Sequence, residues 1–160
     1  MEPKFSVTSK YTKDLYIEYS KLCNNKLRNT TLRLVLIGIA ILIIPITGVI
    51  IKYYMLAVAG IVLAILCPAI LSIRINNSIR KAWETNDTLK DADIRVDFYD
   101  DKLIQKSANS ETTVEYSKVY RMFESENVLA IMIATNQGIA IDKRNCSEEA
   151  INFIKSKITA

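Results

Sequence analysis

Histidine is absent from this 160-residue chain, and its absence removes whole classes of chemistry. Without an imidazole the chain cannot form a Ser-His or Cys-His nucleophile system or a histidine-ligated metal centre. Cysteine is scarce as well: Cys23, Cys67 and Cys146 are odd in number, and no two have the spacing of metal ligands. We therefore expect no disulfide framework, which is consistent with a reducing compartment.

A strong net charge is also missing. The 21 lysines and arginines exceed the 17 acidic residues by only four, and no arginine-rich or glycine-rich arm is present. Nucleic acid is therefore not an expected partner. The first 30 residues are polar and lack the early apolar core of a cleaved signal, so we expect the first long apolar run to be an uncleaved anchor.

Two long runs in the middle of the chain contain no charged side chain. Residues 34–51 and 53–73 are 18 and 21 positions long, with the single Lys52 between them. At 1.5 Å per residue the shorter run measures about 27 Å, close to the ~30 Å hydrocarbon thickness of a bilayer. The pattern predicts a transmembrane helical hairpin over residues 34–73. Because neither span contains a charge, we expect no ion pathway through it.

Basic residues near the ends of the two runs predict the orientation of the hairpin. Only Lys52 lies in the turn, whereas seven basic residues lie at the opposite ends: Lys21, Lys26, Arg28, Arg33, Arg74, Arg80 and Lys81. This bias predicts a multi-pass protein of the cell (inner) membrane with both termini in the cytoplasm. Membrane lipid is then an expected partner, and five of these residues are candidate contacts for anionic headgroups: Arg28, Arg33, Arg74, Arg80 and Lys81. The alternative is that they only set the topology.

Small residues in the second run predict a close helix contact. Gly60 and Ala64 are four positions apart and therefore lie on one helix face, where they allow two backbones to approach. The contact is either with the first span or with a second copy of the chain, which would make a homo-oligomer. Pro45 is predicted to kink the first span.

The sequence on each side of the hairpin has patterns that predict secondary structure. Phe5–Thr8 alternates as a short strand, and Thr12 is a candidate N-cap for an amphipathic helix; together they form a predicted N-terminal segment, residues 1–33. No proline or glycine precedes Leu34, so we expect this helix to run directly into the first span. A helical connection is predicted over residues 74–90.

The period changes to alternation in residues 91–160. Val128–Ala134 is apolar on both faces and is predicted to be a central strand, and the last segment is a helix capped by Asn145 or Ser147. The other predicted strands are Ile94–Tyr99, Lys102–Ala108, Thr112–Tyr116, Val119–Glu124 and Ile139–Ile141. About six strands closed by one helix indicate an α+β class.

Evidence for functional sites in residues 91–160 is weak. The densest acidic group is Asp97, Asp100 and Asp101, with Asp91 and Asp93 upstream. Its spacing is not that of a calcium loop, and the Asp100–Asp101 pair lies where a hairpin turn is needed. We therefore predict no metal, no cofactor and no catalytic residue. Lys143 and Arg144 are candidate contacts for a phosphate or a partner, with a solvated loop as the alternative. Cys146 would be reactive if the helix start favoured its thiolate.

The order of these parts resembles a bacterial family, the YcxB-like membrane proteins. The residues that carry the resemblance are the opening strand with its Tyr-rich helix, the closely spaced membrane pair, and three strand-and-turn motifs: Val96–Asp101, Val114–Val119 and Ile139–Arg144. The family commonly has proline where Asp142 stands, which should alter the local turn and not the fold. The resemblance implies that residues 91–160 form a domain related to the pleckstrin-homology (PH) fold, a seven-stranded structure closed by a helix.

The PH-like fold needs one more strand than residues 91–160 supply. We hypothesise that Phe5–Thr8 crosses back and adds the missing strand, so that deletion of residues 1–9 destabilises the domain. The fold class is then α+β: a two-helix transmembrane hairpin with a cytoplasmic PH-like antiparallel β domain closed by a C-terminal helix.

The function expected from these features is not enzymatic. We expect a membrane-anchored adaptor whose cytoplasmic domain binds a protein or a lipid headgroup. Two alternatives remain open: an immunity protein that protects against a membrane-active toxin, and an accessory subunit of a transporter or envelope enzyme.

Overall fold

The computed structural model describes residues 2–87, 89–108 and 110–158. The chain divides into two compact units. We name residues 1–27 with residues 83–160 the sheet unit, and residues 28–82 the hairpin unit. The class is α+β: N-terminal helices, two long apolar helices, antiparallel sheets and a C-terminal helix.

The sheet unit begins with a strand and a helix and then resumes after the hairpin. Strand β1 is Phe5–Lys10, and helix α1 is Lys13–Arg28. The Leu15 amide donates to Thr12 Oγ1 at 3.3 Å, which confirms the predicted cap. The later strands and the last helix are β2 Asp93–Phe98, β3 Lys102–Ser107, β4 Ser110–Glu115, β5 Arg121–Glu124, β6 Val128–Met132, β7 Gly138–Asp142 and α5 Glu148–Ile158.

Within the described residues, seven strands form two antiparallel sheets. One has the order β1-β2-β3-β4, and the other has the order β5-β6-β7. Strand β1 pairs with β2 over six residues, from Phe5 opposite Phe98 to Lys10 opposite Asp93. This pairing confirms the hypothesis that the N-terminal strand crosses back to the sheet. Strand β6 is central and buried along its whole length, as its two apolar faces predicted.

The core of the sheet unit is drawn from both sides of the hairpin. Val7 and Leu15 come from the N-terminal segment, and they belong to one buried cluster with residues of the later strands and with Ile154 of α5. Helix α1 also contacts the three-stranded sheet, where Ser125 Oγ donates to Glu18 Oε1 at 2.7 Å. Burial of shared apolar surface therefore binds the two chain segments into one unit.

The hairpin unit contains three helices: α2 Thr30–Ile41, α3 Ile43–Ile50 and α4 Tyr54–Glu84. Pro45 has no amide hydrogen and cannot bond to the carbonyl four residues earlier, at Ile41. The first apolar segment accordingly breaks between α2 and α3, at Leu42. Segments Thr30–Ile50 and Tyr54–Glu84 are long and apolar enough to cross a membrane.

One helix boundary differs from the sequence prediction. The N-terminal helix does not continue into the first apolar segment: α1 ends at Arg28, and Asn29 adopts a left-handed conformation with φ 48°. Asparagine tolerates this conformation because its short polar side chain bonds locally. The helix predicted after Arg74 does continue the second apolar segment, since α4 runs on to Glu84. The predicted turn at Asn109 lies outside the described residues.

Candidate functional site

Asp97 is the most enclosed acidic side chain in the described part of the sheet unit. It lies on the outer face of β2, yet only 3% of its side chain is exposed. Arg95 Nε donates to Asp97 Oδ1 at 2.7 Å, Ser6 Oγ donates to the same oxygen at 2.6 Å, and Lys106 Nζ lies 3.3 Å from Oδ2. Three donors from β1, β2 and β3 therefore share one carboxylate.

Two opposing effects set the acidity of Asp97. Burial raises its pKa, whereas hydrogen bonds from Ser6, Arg95 and Lys106 lower it, and the net result is a pKa below the usual range. The carboxylate is thus ionised at neutral pH. Its donors occupy both oxygens, so the geometry indicates a structural tie between strands and not a vacant ligand site.

The outer edge of β4 is unpaired. The Tyr116 amide donates to Asp101 O at 3.2 Å, one pair beyond the end of β4, and this bond sets which residues face β3. Residues whose backbone groups bond to a neighbouring strand alternate along an antiparallel ladder. The backbone N–H and C=O groups of Thr112 and Val114 therefore point toward β3. The outward N–H and C=O groups belong to Glu111, Thr113 and Glu115. Within the described ranges no backbone hydrogen bond occupies these outward groups.

The predicted phosphate contacts lie in pairs with acidic residues. Lys143 Nζ is 2.7 Å from Glu124 Oε1 and donates to Ser125 O at 3.1 Å. Lys155 Nζ is 2.7 Å from the other oxygen of Glu124, so two lysines share one carboxylate. The hydrogen bonds from these lysines lower the pKa of Glu124. A shallow surface depression here is lined by Glu124, Lys143, Glu148, Ile151, Asn152 and Lys155.

Arg144 is also neutralised within the chain. Its Nε and Nη2 atoms donate to the two oxygens of Asp142 at 2.8 and 2.7 Å, a bidentate geometry. The Arg144 side chain is the first cause of the lowered pKa of Asp142. Asp142 also accepts from the Arg144 amide at 3.0 Å and caps the short 3₁₀ turn that follows. The residue that departs from the family pattern thus makes a local turn of its own.

The candidate lipid contacts belong to the hairpin unit, and all five are exposed: Arg28, Arg33, Arg74, Arg80 and Lys81. With Lys52 they make six basic residues in residues 28–82, where the sequence has no acidic residue. The other fifteen of the 21 basic residues share the sheet unit with all 17 acidic residues, giving formal charges of +6 and −2. The two units therefore differ in the sign of their charge.

Small residues form the contact between the apolar helices. A Cβ added to Gly60 would lie 2.5 Å from Pro45 Cδ, and one added to Gly48 would lie 2.6 Å from Ala57 N. Gly38 is less tight, because its added Cβ would be 3.8 Å from Ala64 O. The structure thus places Gly60 and Ala64 on the side of α4 that meets the first apolar segment, which is the first of the two contacts considered above.

Cys146 lies in an environment that disfavours its thiolate. Its Sγ donates to Asp142 O at 3.4 Å, and burial followed by the charge of Asp142 raises its pKa to about 11. The condition under which Cys146 would be reactive is therefore not met. The first turn of α5 already holds Glu148 and Glu149, and the Ala150 amide bonds to Ser147 Oγ at 3.2 Å, which confirms Ser147 as the cap.

Residues 98–158 match the family model described as YcxB-like protein. The chain carries a YcxB-like domain. The domain begins at the end of β2 and contains β3 to β7 and α5, so the predicted resemblance is confirmed for this part. For β1, α1 and the apolar helices the resemblance stays a prediction. No curated protein and no solved structure shows a significant match.

Sequence reasoning missed three features around the YcxB-like domain. It assigned no role to the Asp97 network, to the unpaired β4 edge, or to Glu124 between two lysines. The alternation of Arg95 and Asp97 on one strand face was an available signal for the first. The partners of the other two depend on strand order and helix placement, which local patterns do not report. No group of three metal-binding side chains occurs within the described ranges.

Proposed function

We propose that this protein is a non-enzymatic adaptor anchored in the cell membrane. The apolar helices are the anchor, and the sheet unit, built around the YcxB-like domain, is a PH-like module that binds a protein partner on the cytoplasmic side. The seven strands in sheets of four and three, with α5 after the last strand, support the PH-like assignment.

The pairing of β1 with β2 carries this proposal. These strands flank the apolar helices in sequence, yet they form six consecutive residue pairs. Two segments that share one sheet lie in the same compartment, so the apolar region enters and leaves the membrane on the same side. An even number of spans is thereby favoured, in agreement with two apolar helices.

Membrane insertion is supported by the exposure of the apolar helices. Only 11% and 17% of their most apolar windows are buried within the protein, whereas a core helix of a water-soluble protein would be mostly buried. The basic residues flanking the spans, against Lys52 alone in the turn, support the cytoplasmic placement of the sheet unit.

Charge pairing supports a protein partner over a lipid headgroup for the sheet unit. Lys143 and Arg144, the residues best suited to a phosphate, are held by Glu124 and Asp142. The unit as a whole has a formal charge of −2, which opposes attraction to an anionic membrane surface. The same pairing supports a binding role over catalysis, because these charges stabilise one another at the surface.

The topology is tested by thiol labelling in intact cells. In a C23A/C67A/C146A background, K52C should react with a membrane-impermeant maleimide, and E126C should react only after the membrane is permeabilised. Lys52 and Glu126 are both exposed, so access to each is limited by the membrane and not by burial. Labelling of E126C without permeabilisation would overturn the cytoplasmic placement.

The adaptor role is tested by native mass spectrometry of the full chain extracted from its own membranes in mild detergent. A protein retained in a fixed ratio is the expected result. Retention of phospholipid alone, with no protein, would overturn the assignment of a protein partner.

A further inference from the structure

We propose that the outer edge of β4 binds an extended, basic segment of the partner protein, which adds a fifth strand to the four-stranded sheet. This inference rests on the proposed adaptor function and names the surface that performs it. Strand addition uses backbone hydrogen bonds for affinity and alternate side chains for specificity.

The hydrogen-bonding capacity of this edge is intact. Outward groups on Glu111, Thr113 and Glu115 occur at every second residue, as strand addition requires. Five of the six side chains of β4 are exposed, and Val114 alone is buried, on the core face. The backbone edge to which a strand would be added is therefore exposed to solvent, and the apolar Val114 lies on its core face.

The other strand edges have fewer free backbone groups for an added strand. Strand β7 is buried along most of its length, and its Asp142 amide donates to Ser9 Oγ of β1 at 3.3 Å, so these two edges lie against each other. Strand β5 has four residues, of which alternation leaves only two with outward backbone groups. Of the strand edges in the described ranges, β4 offers three successive outward residues and no covering element.

The charge at the edge selects a basic occupant. Glu111 and Glu115 lie on the outer face, on either side of Thr113. Lys106 is opposite Glu111 but is engaged with Asp97 at 3.3 Å, and no ion pair of Glu111 occurs within the described ranges. Glu115 lies opposite Lys102, and Lys118 Nζ is 3.1 Å from its Oε1, so Glu115 already has two basic neighbours. A cation opposite Glu111 would therefore add the stronger cross-strand pair.

The same charges oppose pairing with a second copy of the chain. Two β4 strands related by a two-fold axis at Thr113 would place Glu111 of each opposite Glu115 of the other. Like charges directly opposite each other destabilise a strand pair. The edge thus discriminates against self-association, a known risk for unpaired strands, while it remains complementary to a positively charged strand.

The probe for this surface is the peptide Ser-Arg-Val-Thr-Val-Arg-Ser, in which arginines two positions from the threonine would face Glu111 and Glu115. Its binding to the full chain in phosphatidylcholine nanodiscs is measured by fluorescence anisotropy, with Ser-Glu-Val-Thr-Val-Glu-Ser as the matched peptide. The zwitterionic lipid prevents attraction of the arginines to the bilayer. We expect the arginine peptide to bind at least about tenfold more tightly, because two attractive pairs replace two repulsive ones.

Two variants and one exchange measurement separate strand addition from general attraction. E111K should weaken binding of the arginine peptide by about three- to tenfold, whereas E126K, with the same charge change in an exposed loop, should leave it nearly unchanged. T113P removes one outward amide and no bond to β3, and it should abolish binding. In the wild type, bound peptide should slow hydrogen exchange at Glu111, Thr113 and Glu115 and leave Thr112 and Val114 unaffected.

The outcomes that overturn the inference are specific. Equal binding of the two peptides, equal effects of E111K and E126K, or exchange protection that does not alternate would each rule out strand addition at this edge. If T113P fails to fold, the exchange pattern of the wild type decides the question alone. A native partner that is retained equally by T113P would overturn the β4 site and leave the adaptor function standing, whereas loss of every partner from the wild type would overturn that function.

Discussion

The hairpin unit and the sheet unit use their apolar residues in opposite ways. In the hairpin unit the large aliphatic side chains point outward, as in Leu66, which is 49% exposed, and the helices touch through small residues. In the sheet unit the large side chains are enclosed, as in Leu103, which is 0% exposed. This difference agrees with the proposed membrane anchor, because lipid solvates aliphatic side chains and packing between membrane helices depends on close backbone approach.

The two units also differ in their charged residues. The hairpin unit has six basic and no acidic residues, whereas every acidic residue lies in the sheet unit. Carboxylates there meet their partners across the sheet or within turns, as Asp97 does with Lys106 and Asp142 with Arg144. This division agrees with the proposed anchor, in which the excess of basic charge lies at the membrane boundary.

Removal of residues 1–9, with a new initiator methionine, should have the largest effect on this comparison. It deletes most of β1 and exposes β2 and the core around Val96, so the sheet unit should lose its cooperative thermal unfolding in nanodiscs. The far-ultraviolet helical signal of the apolar helices should persist. Unchanged melting would show that β1 is dispensable and would remove the main support for the topology.

Leu103→Ala and Leu66→Ala make the same chemical change in the two units. The first should lower the free energy of unfolding of the sheet unit by about 2–5 kcal/mol, because it opens a cavity in an enclosed core. The second removes an exposed side chain and should change that free energy by less than about 0.5 kcal/mol. Urea unfolding of the full chain, followed by Trp83 fluorescence, measures both. Equal costs would contradict the division into an enclosed core and an exposed apolar surface.

The addition of one methyl group at the helix contact should push the helices of the hairpin unit apart. Gly48→Ala and Gly60→Ala each place a Cβ within 2.6 Å of the facing helix and should cost about 1–3 kcal/mol of helix packing. Gly38→Ala is the matched control, since its Cβ would make an ordinary contact at 3.8 Å. Pulsed electron paramagnetic resonance distances between labels on the two helices measure the effect. A larger separation in G38A than in G60A would contradict the contact.

Acid should act on the sheet unit through Asp97. Its pKa is lower in the folded chain than in the unfolded chain, so its stabilising contribution is fully present above the unfolded pKa of about 3.9 and is lost as the pH falls through the folded value. Asp97→Asn should therefore destabilise the unit at pH 7 and reduce the loss of stability between pH 5 and pH 2. Melting temperatures across this range measure it. Glu126→Gln is the matched control, and an equal change in its pH profile would contradict the assignment.

Local signals in the sequence predicted much of the fold. Alternation located the strands to within about two or three residues, and hydroxyl caps at Thr12 and Ser147 marked two helix starts correctly. These features depend on near neighbours in the chain. The same approach failed at Asn29, where the left-handed break follows residues with ordinary helical preferences. Asn29 itself was an available stop signal, because asparagine tolerates the left-handed conformation, but this signal is weaker than a glycine or a proline.

The candidate sites could be predicted less well. Lys143 and Arg144 were correctly placed near the last helix, but the sequence does not show that Glu124 and Asp142 neutralise them. The β4 edge is visible only once the strand order is known, because an edge is defined by the strand that is missing beside it. Functional surfaces of this kind are properties of the assembled sheet.

The sequence by itself determined the two apolar segments, their basic flanks, the strand content and the absence of histidine chemistry, since each depends on composition or on a short period. The tertiary structure alone decided that β1 completes the sheet, that Gly60 faces Pro45, and which charges remain unpaired at β4. The physical reason is range: Ser6 and Asp97 are separated by 91 positions, and their hydrogen bond forms only after the core has brought the two segments together.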